Sequence, residues 1–294
     1  MIVDAHQHFW DPSRASYPWM TDEVARIRRP FGPADLAPLL RDHGVDWTVV
    51  VQARMDLDET RELLAIAAST EFVSGVVCWV DLTDPQVSTT LGELLVEPAG
   101  AKMVGIRHQV HDEPDPRWLL RPDVQRGLAA VCEAGLAYDL LVRARELPAA
   151  IETARRLPEM RFVIDHLAKP PVREGHSEAW AEAMAPLSEL EHVHCKLSGL
   201  VTEADWAGWR PEQLAPYVRR VLGWFGPERC MFGSDWPVCL LAARYGQVLD
   251  ALLKALESVD EAARARILGE NAVRFYRLGE RSADGVTTRS PPSA

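Results

Sequence analysis

Short β-branched runs, each followed by a longer stretch of helical character, recur along almost the whole chain, and this alternation restricts the fold more than any other feature. The strand-like runs are 2–6, 47–53, 74–80, 103–108, 137–142, 161–166, 193–198 and 230–235. Helix-like stretches lie between and after them, at 34–43, 58–69, 85–96, 123–134, 145–157, 178–187, 211–225 and 246–256. Pro211 suits a first helical position, where its missing N–H costs nothing. Gly44 and Gly135 follow helical runs at places where a left-handed cap fits. Strands joined by helical crossovers run parallel. Units repeating at roughly 30 residues match a closed (β/α)8 TIM barrel, an α/β fold of about 250 residues. An open doubly wound sheet is the alternative. With no internal repeat or linker, residues 1–276 read as one domain, and the polar, Ser- and Pro-containing segment 277–294 reads as a disordered tail.

Charge narrows the partners. Lys and Arg number 32 against 43 Asp and Glu, a formal net charge of -11. Such a chain repels phosphate backbones and anionic lipid, which argues against nucleic-acid and membrane partners. No apolar run approaches the ~18–20 residues of a membrane helix. The start, MIVDAHQHFW, has no basic region followed by an apolar stretch, so no secretory signal is read there. The 5 cysteines are scattered, with no CxxC or Cys-His cluster. That pattern points to a reducing, cytoplasmic setting without a disulfide framework.

In a barrel the active site is built at the C-terminal ends of the strands. Those ends carry His6 and His8, Gln52, Arg107 and His108, Asp139, His166 with Lys169, Lys196 with Ser198, and Asp235. Two histidines two apart on a strand share a face, so His6 and His8 can converge inside the mouth, where imidazole is a good zinc ligand or, equally, a packed and hydrogen-bonded side chain. Asp235 closes the last strand beside the first, as a metal ligand, a general base for water, or a capping residue before the Trp236-Pro237 turn. Alternation puts Ile164 and His166 on one face and Asp165 on the other. Lys196 stands in an apolar strand, where a pairing with Asp139 or Asp235 would hold it. Trp10, Trp19, Trp206, Trp209 and Trp236 fall in loops, where aromatic planes either cover a sugar-like ring or pack under the loops. Nucleophile elbow, P-loop and dinucleotide fingerprints are absent.

The ordered set His6-x-His8, GIRH at 105–108, DHLAKP at 165–170, KLSGL at 196–200 and FGSDWP at 232–237 resembles the amidohydrolase superfamily. The similarity is closest to its TIM-barrel branch of L-fucono- and L-rhamnono-lactonases and related dicarboxylate lactonases, and runs to Tyr276. It implies that His6, His8 and Asp235 occupy the family's metal-ligand positions and His166 its strand-six histidine. On strand five, metal-dependent members add a His, Lys or Glu ligand where this chain has Tyr138-Asp139-Leu140-Leu141, and the branch includes members that work without a divalent ion. The resulting expectation is a cytoplasmic hydrolase, monomeric or homodimeric, opening a sugar lactone to its aldonic acid. Asp235 would be the base, assisted by His166, His6 and His8. His108, Arg107, Lys169, Gln52, Trp10 and Trp236 would contact substrate, and zinc would be dispensable. A metal-dependent decarboxylase, or another hydrolase of the superfamily acting on a small carboxylate, is the alternative.

Overall fold

The structure, a computed structural model, describes residues 1–175 and 178–279. Eight strands form one sheet in chain order: β1 (Val3–Gln7), β2 (Trp47–Val51), β3 (Val73–Cys78), β4 (Met103–His108), β5 (Ala137–Leu140), β6 (Phe162–Ile164), β7 (Val193–Leu197) and β8 (Cys230–Phe232). All neighbours are parallel. The sheet closes at the mouth. Gln7 bridges Trp236, the Asp235 amide donates to the His6 carbonyl at 2.8 Å, and the His8 amide donates to the Trp236 carbonyl at 2.7 Å. That closure selects the barrel over the open sheet.

One helix follows each strand: α1 (Pro33–His43), α2 (Leu57–Ser69), α3 (Val87–Val96), α4 (Pro122–Glu133), α5 (Leu147–Arg156), α6 (Glu178–Ser188), α7 (Pro211–Phe225) and α8 (Tyr245–Ala255). Their ends follow local chemistry. Pro122 and Pro211 open α4 and α7, the Asp56 carboxylate caps α2 through the Asp58 amide, and Gly44 stops α1 at φ 65°. Two more short helices, α9 (Glu261–Ala265) and α10 (Asn271–Tyr276), end the described chain.

The core has two layers. Val50, Ile106, Ile164, Cys195 and Phe232 face the helices, while Val49, Val51, Val77, Ala137, Val163 and Met231 fill the barrel. Phe275, Tyr276 and Leu278 plug its lower end. The packed chain therefore runs to Leu278, and most of the expected tail, residues 280–294, lies outside the described residues. Among the described residues no helix is long and apolar enough to cross a membrane.

Two departures from regular pairing shape the mouth. Between Asp4 and Gln7, β1 takes three steps where β2 takes two from Thr48 to Val50. This bulge lets Ala5 join the inner core and still brings His6 inward, with Gln7 turned out to the Thr48 hydroxyl. Strands β6 and β8 end earlier than the sequence suggests, because His166 (φ 54°) and Asp235 (φ 57°) leave extended geometry and fold back over the mouth.

Candidate active site

A cavity of about 260 Å³ opens at the C-terminal ends of the strands. Its wall includes His8, Trp10 and Trp19 from the first strand and its loop, Arg107 and His111 from the fourth, Arg143 from the fifth, His166 and Lys169 from the sixth, and Asp235 from the eighth.

At its floor Asp235 Oδ1 lies 3.3 Å from His8 Nε2, 3.8 Å from His6 Nε2 and 3.9 Å from His166 Nε2. His8 Nδ1 sits 2.7 Å from the Val51 carbonyl, which only accepts, so Nδ1 carries the proton and Nε2 presents a lone pair. His6 Nδ1 is 3.2 Å from Asp165 Oδ1, and its Nε2 meets His8 Nε2 at 3.2 Å and the Arg107 guanidinium at 3.3 Å. His166 Nδ1 bonds the Ser198 hydroxyl at 2.8 Å. Burial lowers the pKa of all three imidazoles, most strongly for His6 and His166, so they stand neutral. For Asp235 burial acts to raise the pKa, but His166, the His8 contact and Lys169 outweigh it and hold the carboxyl below its usual range.

Under this floor lies a buried ionic chain. Lys196 Nζ reaches Asp139 Oδ2 at 2.5 Å, Asp165 Oδ1 at 3.1 Å and His6 Nδ1 at 3.1 Å. The Tyr276 hydroxyl bonds both Asp139 oxygens, at 2.9 and 2.8 Å, tying the barrel plug to the site. Burial raises the Asp139 pKa to about 6 against the pull of Lys196. Burial also disfavours the Asp165 anion, yet Lys196, His6 and Arg107 hold its carboxyl well below the carboxylate range. Arg107 donates to Asp165 Oδ2 at 3.0 Å and to the Gln52 carbonyl. Pairing with opposite charges is what makes burial of so many charges tolerable, although Arg107 Nε is left without a hydrogen-bond partner.

The sequence-derived residues separate into two groups. His8, His166, Asp235, Arg107, Lys169 and Trp10 line the cavity, and fully buried His6 lies beneath it against His8 and Asp235. His108, Gln52 and Trp236 do not line it. The alternation that turns Arg107 inward sends His108 to the helix side, stacked on Trp118 at 4.0 Å between ring centroids. There the Trp79 indole, a pure donor, donates to His108 Nδ1, and His108 Nε2 faces Glu113 at 2.7 Å. Gln52 donates to the Arg107 carbonyl at 3.2 Å and so supports the arginine. Trp236 packs against Phe9 and Phe31.

Asp165 corrects the facing expected from the sequence. It points into the barrel after inward Val163, and His166 reaches the cavity because the backbone turns left-handed at that residue. His111 and Arg143 were also missed. The loop after β4 sets His111 on the wall, and only the D/H-rich stretch His111-Asp112-Glu113 marked it in the sequence.

The donor set fits a metal. His6 Nε2, His8 Nε2 and Asp235 Oδ1 are mutually 3.2, 3.3 and 3.8 Å apart. A tetrahedral zinc with bonds of about 2.0–2.2 Å sets its donors roughly 3.3–3.6 Å apart. Val51 and Asp165 lie behind the opposite nitrogens of His8 and His6, as outer partners of metal-bound histidines do. His6, Asp165 and His166 form a second possible group. Asp139 cannot contribute, since Lys196 and Tyr276 already hold both its oxygens.

The amidohydrolase family model matches residues 3–278. An L-fucono-1,5-lactonase of Burkholderia ambifaria is 44% identical, over 96% of this chain and 97% of its own length. A second L-fucono-1,5-lactonase, of Burkholderia multivorans, is 39% identical over 95% and 96%. A crystal structure of an amidohydrolase from Burkholderia multivorans with bound zinc superposes with a TM-score of 0.90 at 38% identity, covering 95% of this chain and 99% of the other. With the ordered histidines and aspartate in place on a closed eight-stranded barrel, the chain belongs to the amidohydrolase family.

Proposed function

We propose that this enzyme hydrolyses an aldonolactone of the L-fucono- or L-rhamnono-lactone type to the aldonic acid, with Asp235 as general base. The observation that carries this reading is the pair of acceptors Asp235 Oδ1 and His8 Nε2, facing one another 3.3 Å apart at the floor of an open cavity. Two lone pairs at that spacing need a donor, and a water placed against them gives a hydrogen to each. The full-length likeness to two L-fucono-1,5-lactonases supports the same chemistry. A cavity of about 260 Å³ suits one sugar ring, lying below the ~300–1,000 Å³ usual for larger ligands.

In this mechanism Asp235 takes a proton from water as the oxygen attacks the lactone carbonyl. Lys169 and Arg107 supply positive charge for the developing oxyanion. Collapse breaks the ring C–O bond, and Asp235 returns its proton to the leaving alkoxide. The new acid ionises, releasing one proton per turnover. His166, fixed by Ser198, orients the water or the carbonyl. Trp10 covers the sugar face.

His6, His8 and Asp235 would hold a zinc ion, which when bound supplies Lewis-acid polarisation and a lower pKa for water. We infer that turnover does not require it, because the Arg107 guanidinium already sets a fixed positive charge 3.3 Å from His6 Nε2. The acidic composition and the free cysteines of the described residues support a cytoplasmic enzyme, monomeric or homodimeric, acting on a small molecule without a nucleic-acid partner. The test is proton release from L-fucono-, L-rhamnono- and D-gluconolactones. The reading expects acidification by at least one deoxysugar lactone well above the spontaneous rate, and acidification by none would refute it.

A further inference from the structure

We propose that Trp19, Gln109 and the peptide joining Ala53 to Arg54 form a partition that confines the substrate to a single-ring lactone, and that Glu59 is the positioning residue that holds it. This rests on the lactonase reading and names what sets its size limit.

The catalytic cavity of about 260 Å³ has a neighbour of about 570 Å³. Trp19, Ala53, Gln109 and Asp112 line both, so they stand between the two. The partition is tied at one atom. The Trp19 indole donates to the Ala53 carbonyl at 2.8 Å, and the Gln109 amide donates to the same oxygen at 3.3 Å. Trp10 meets the Trp19 ring edge-on, with 5.2 Å between centroids. Beyond the partition Pro18 and Met55 give the second cavity an apolar side, and Met55 is 40% exposed. Joined, the two spaces would fall well inside the ~300–1,000 Å³ range that takes larger ligands.

The Ala53 carbonyl is aimed from the other edge of its own peptide. In a planar trans unit the carbonyl and the next amide point in opposite directions, so fixing one fixes the other. The Arg54 amide donates to Glu59 Oε2 at 2.7 Å, and the Ala53 amide donates to the same oxygen at 3.0 Å. Glu59 stands in the first turn of α2, buried, and lines neither cavity. Its place is costly. Burial raises its carboxyl pKa to about 8 against the pull of the two amides, Arg54 and Arg107. The peptide it holds is what that cost secures.

The test uses the full chain with Trp19→Ala, Glu59→Ala and Glu59→Gln, which keeps an accepting oxygen. Initial rates are measured on an aldonolactone that the enzyme hydrolyses and on its mono-O-benzyl derivatives. The wild-type chain should leave the benzyl lactones near their spontaneous rate. Trp19→Ala and Glu59→Ala should each raise the benzyl-to-parent ratio of kcat/KM at least ~10-fold for one or more derivatives, while Glu59→Gln holds the wild-type ratio. Where Glu59→Ala does not fold, Glu59→Asp, one methylene short of the two amides, carries the same expectation. A Glu59 that served stability alone would lower both rates together and leave the ratio unmoved. The proposal is overturned by an unchanged ratio in Trp19→Ala or in the Glu59 variant, by wild-type turnover of benzyl lactones at the parent's rate, or by a Glu59→Gln shift equal to that of alanine. Failure of the wild-type chain on every unmodified lactone would instead fault the lactonase reading, and the partition's role with it.

Discussion

His8 and His6 each spend one ring nitrogen on holding the ring in place, His8 on the Val51 carbonyl and His6 on Asp165, and turn the other toward Asp235. Catalysis on this scheme needs these rings neutral and Asp235 ionised. Burial moves the histidine pKa values below 6.5, and the balance of contacts moves Asp235 below 3.8. A lowered pKa keeps the unprotonated form to more acid pH, so the acid limb of kcat/KM should lie below pH 6.5; a limb at or above that value would contradict the assignment. His166→Asn should reduce kcat strongly. His108→Ala should act through the loop after β4, lowering the melting temperature more than it changes KM. Kinetics and thermal denaturation of the two variants separate these effects. Much of this was legible. The His-x-His spacing and the position of Asp235 follow from strand alternation. Asp165 and His111 were misplaced or missed because their direction depends on where a strand stops, which a residue's type does not encode. His108 instead follows the alternation within β4 that turns Arg107 inward, and so faces the helices.

The loops after β6 and β8 do most to shape the site. Four successive non-glycine residues, His166, Leu167, Ala168 and Lys169, have φ between 51° and 55°, which turns both His166 and Lys169 to the cavity. Such backbone is costly, and persists where its surroundings hold it. Here the Trp180 indole bonds the Leu167 carbonyl at 2.8 Å. Gly233 serves the same end beneath Asp235. A Cβ there would stand 2.7 Å from His6 Cβ and 3.1 Å from Ser198 Cβ, neither at the end of a flexible chain. Gly233→Ala should therefore displace His6, costing roughly 1–3 kcal/mol of stability and a larger factor in rate. An unchanged melting temperature together with unchanged kcat/KM would count against close packing there. The strands themselves could be read from the sequence, since barrel strands are apolar runs. Their ends could not, because four positive φ values at His-Leu-Ala-Lys carry none of the glycine or asparagine signals that betray such turns.

Across the whole molecule the alternation of strand and helix determined the barrel, and the barrel gathers residues as distant in sequence as His6 and Asp235. The plug adds a link that composition hid, since Tyr276 joins Asp139 to the floor of the site from the far end of the chain. Tyr276→Phe removes that donor and should cost about 1.5–3 kcal/mol in unfolding free energy, measured by denaturant titration. Chelation followed by metal analysis should leave lactone hydrolysis largely intact, and loss of activity restored by zinc would show that the Arg107 cation is not enough. The most direct test of the account compares proton release from an aldonolactone by the wild-type chain and Asp235→Asn, with folding checked by circular dichroism. Asn keeps the shape and removes the base, so kcat should fall by well over ~100-fold while the fold is retained. A folded Asp235→Asn enzyme with near-normal kcat would contradict it.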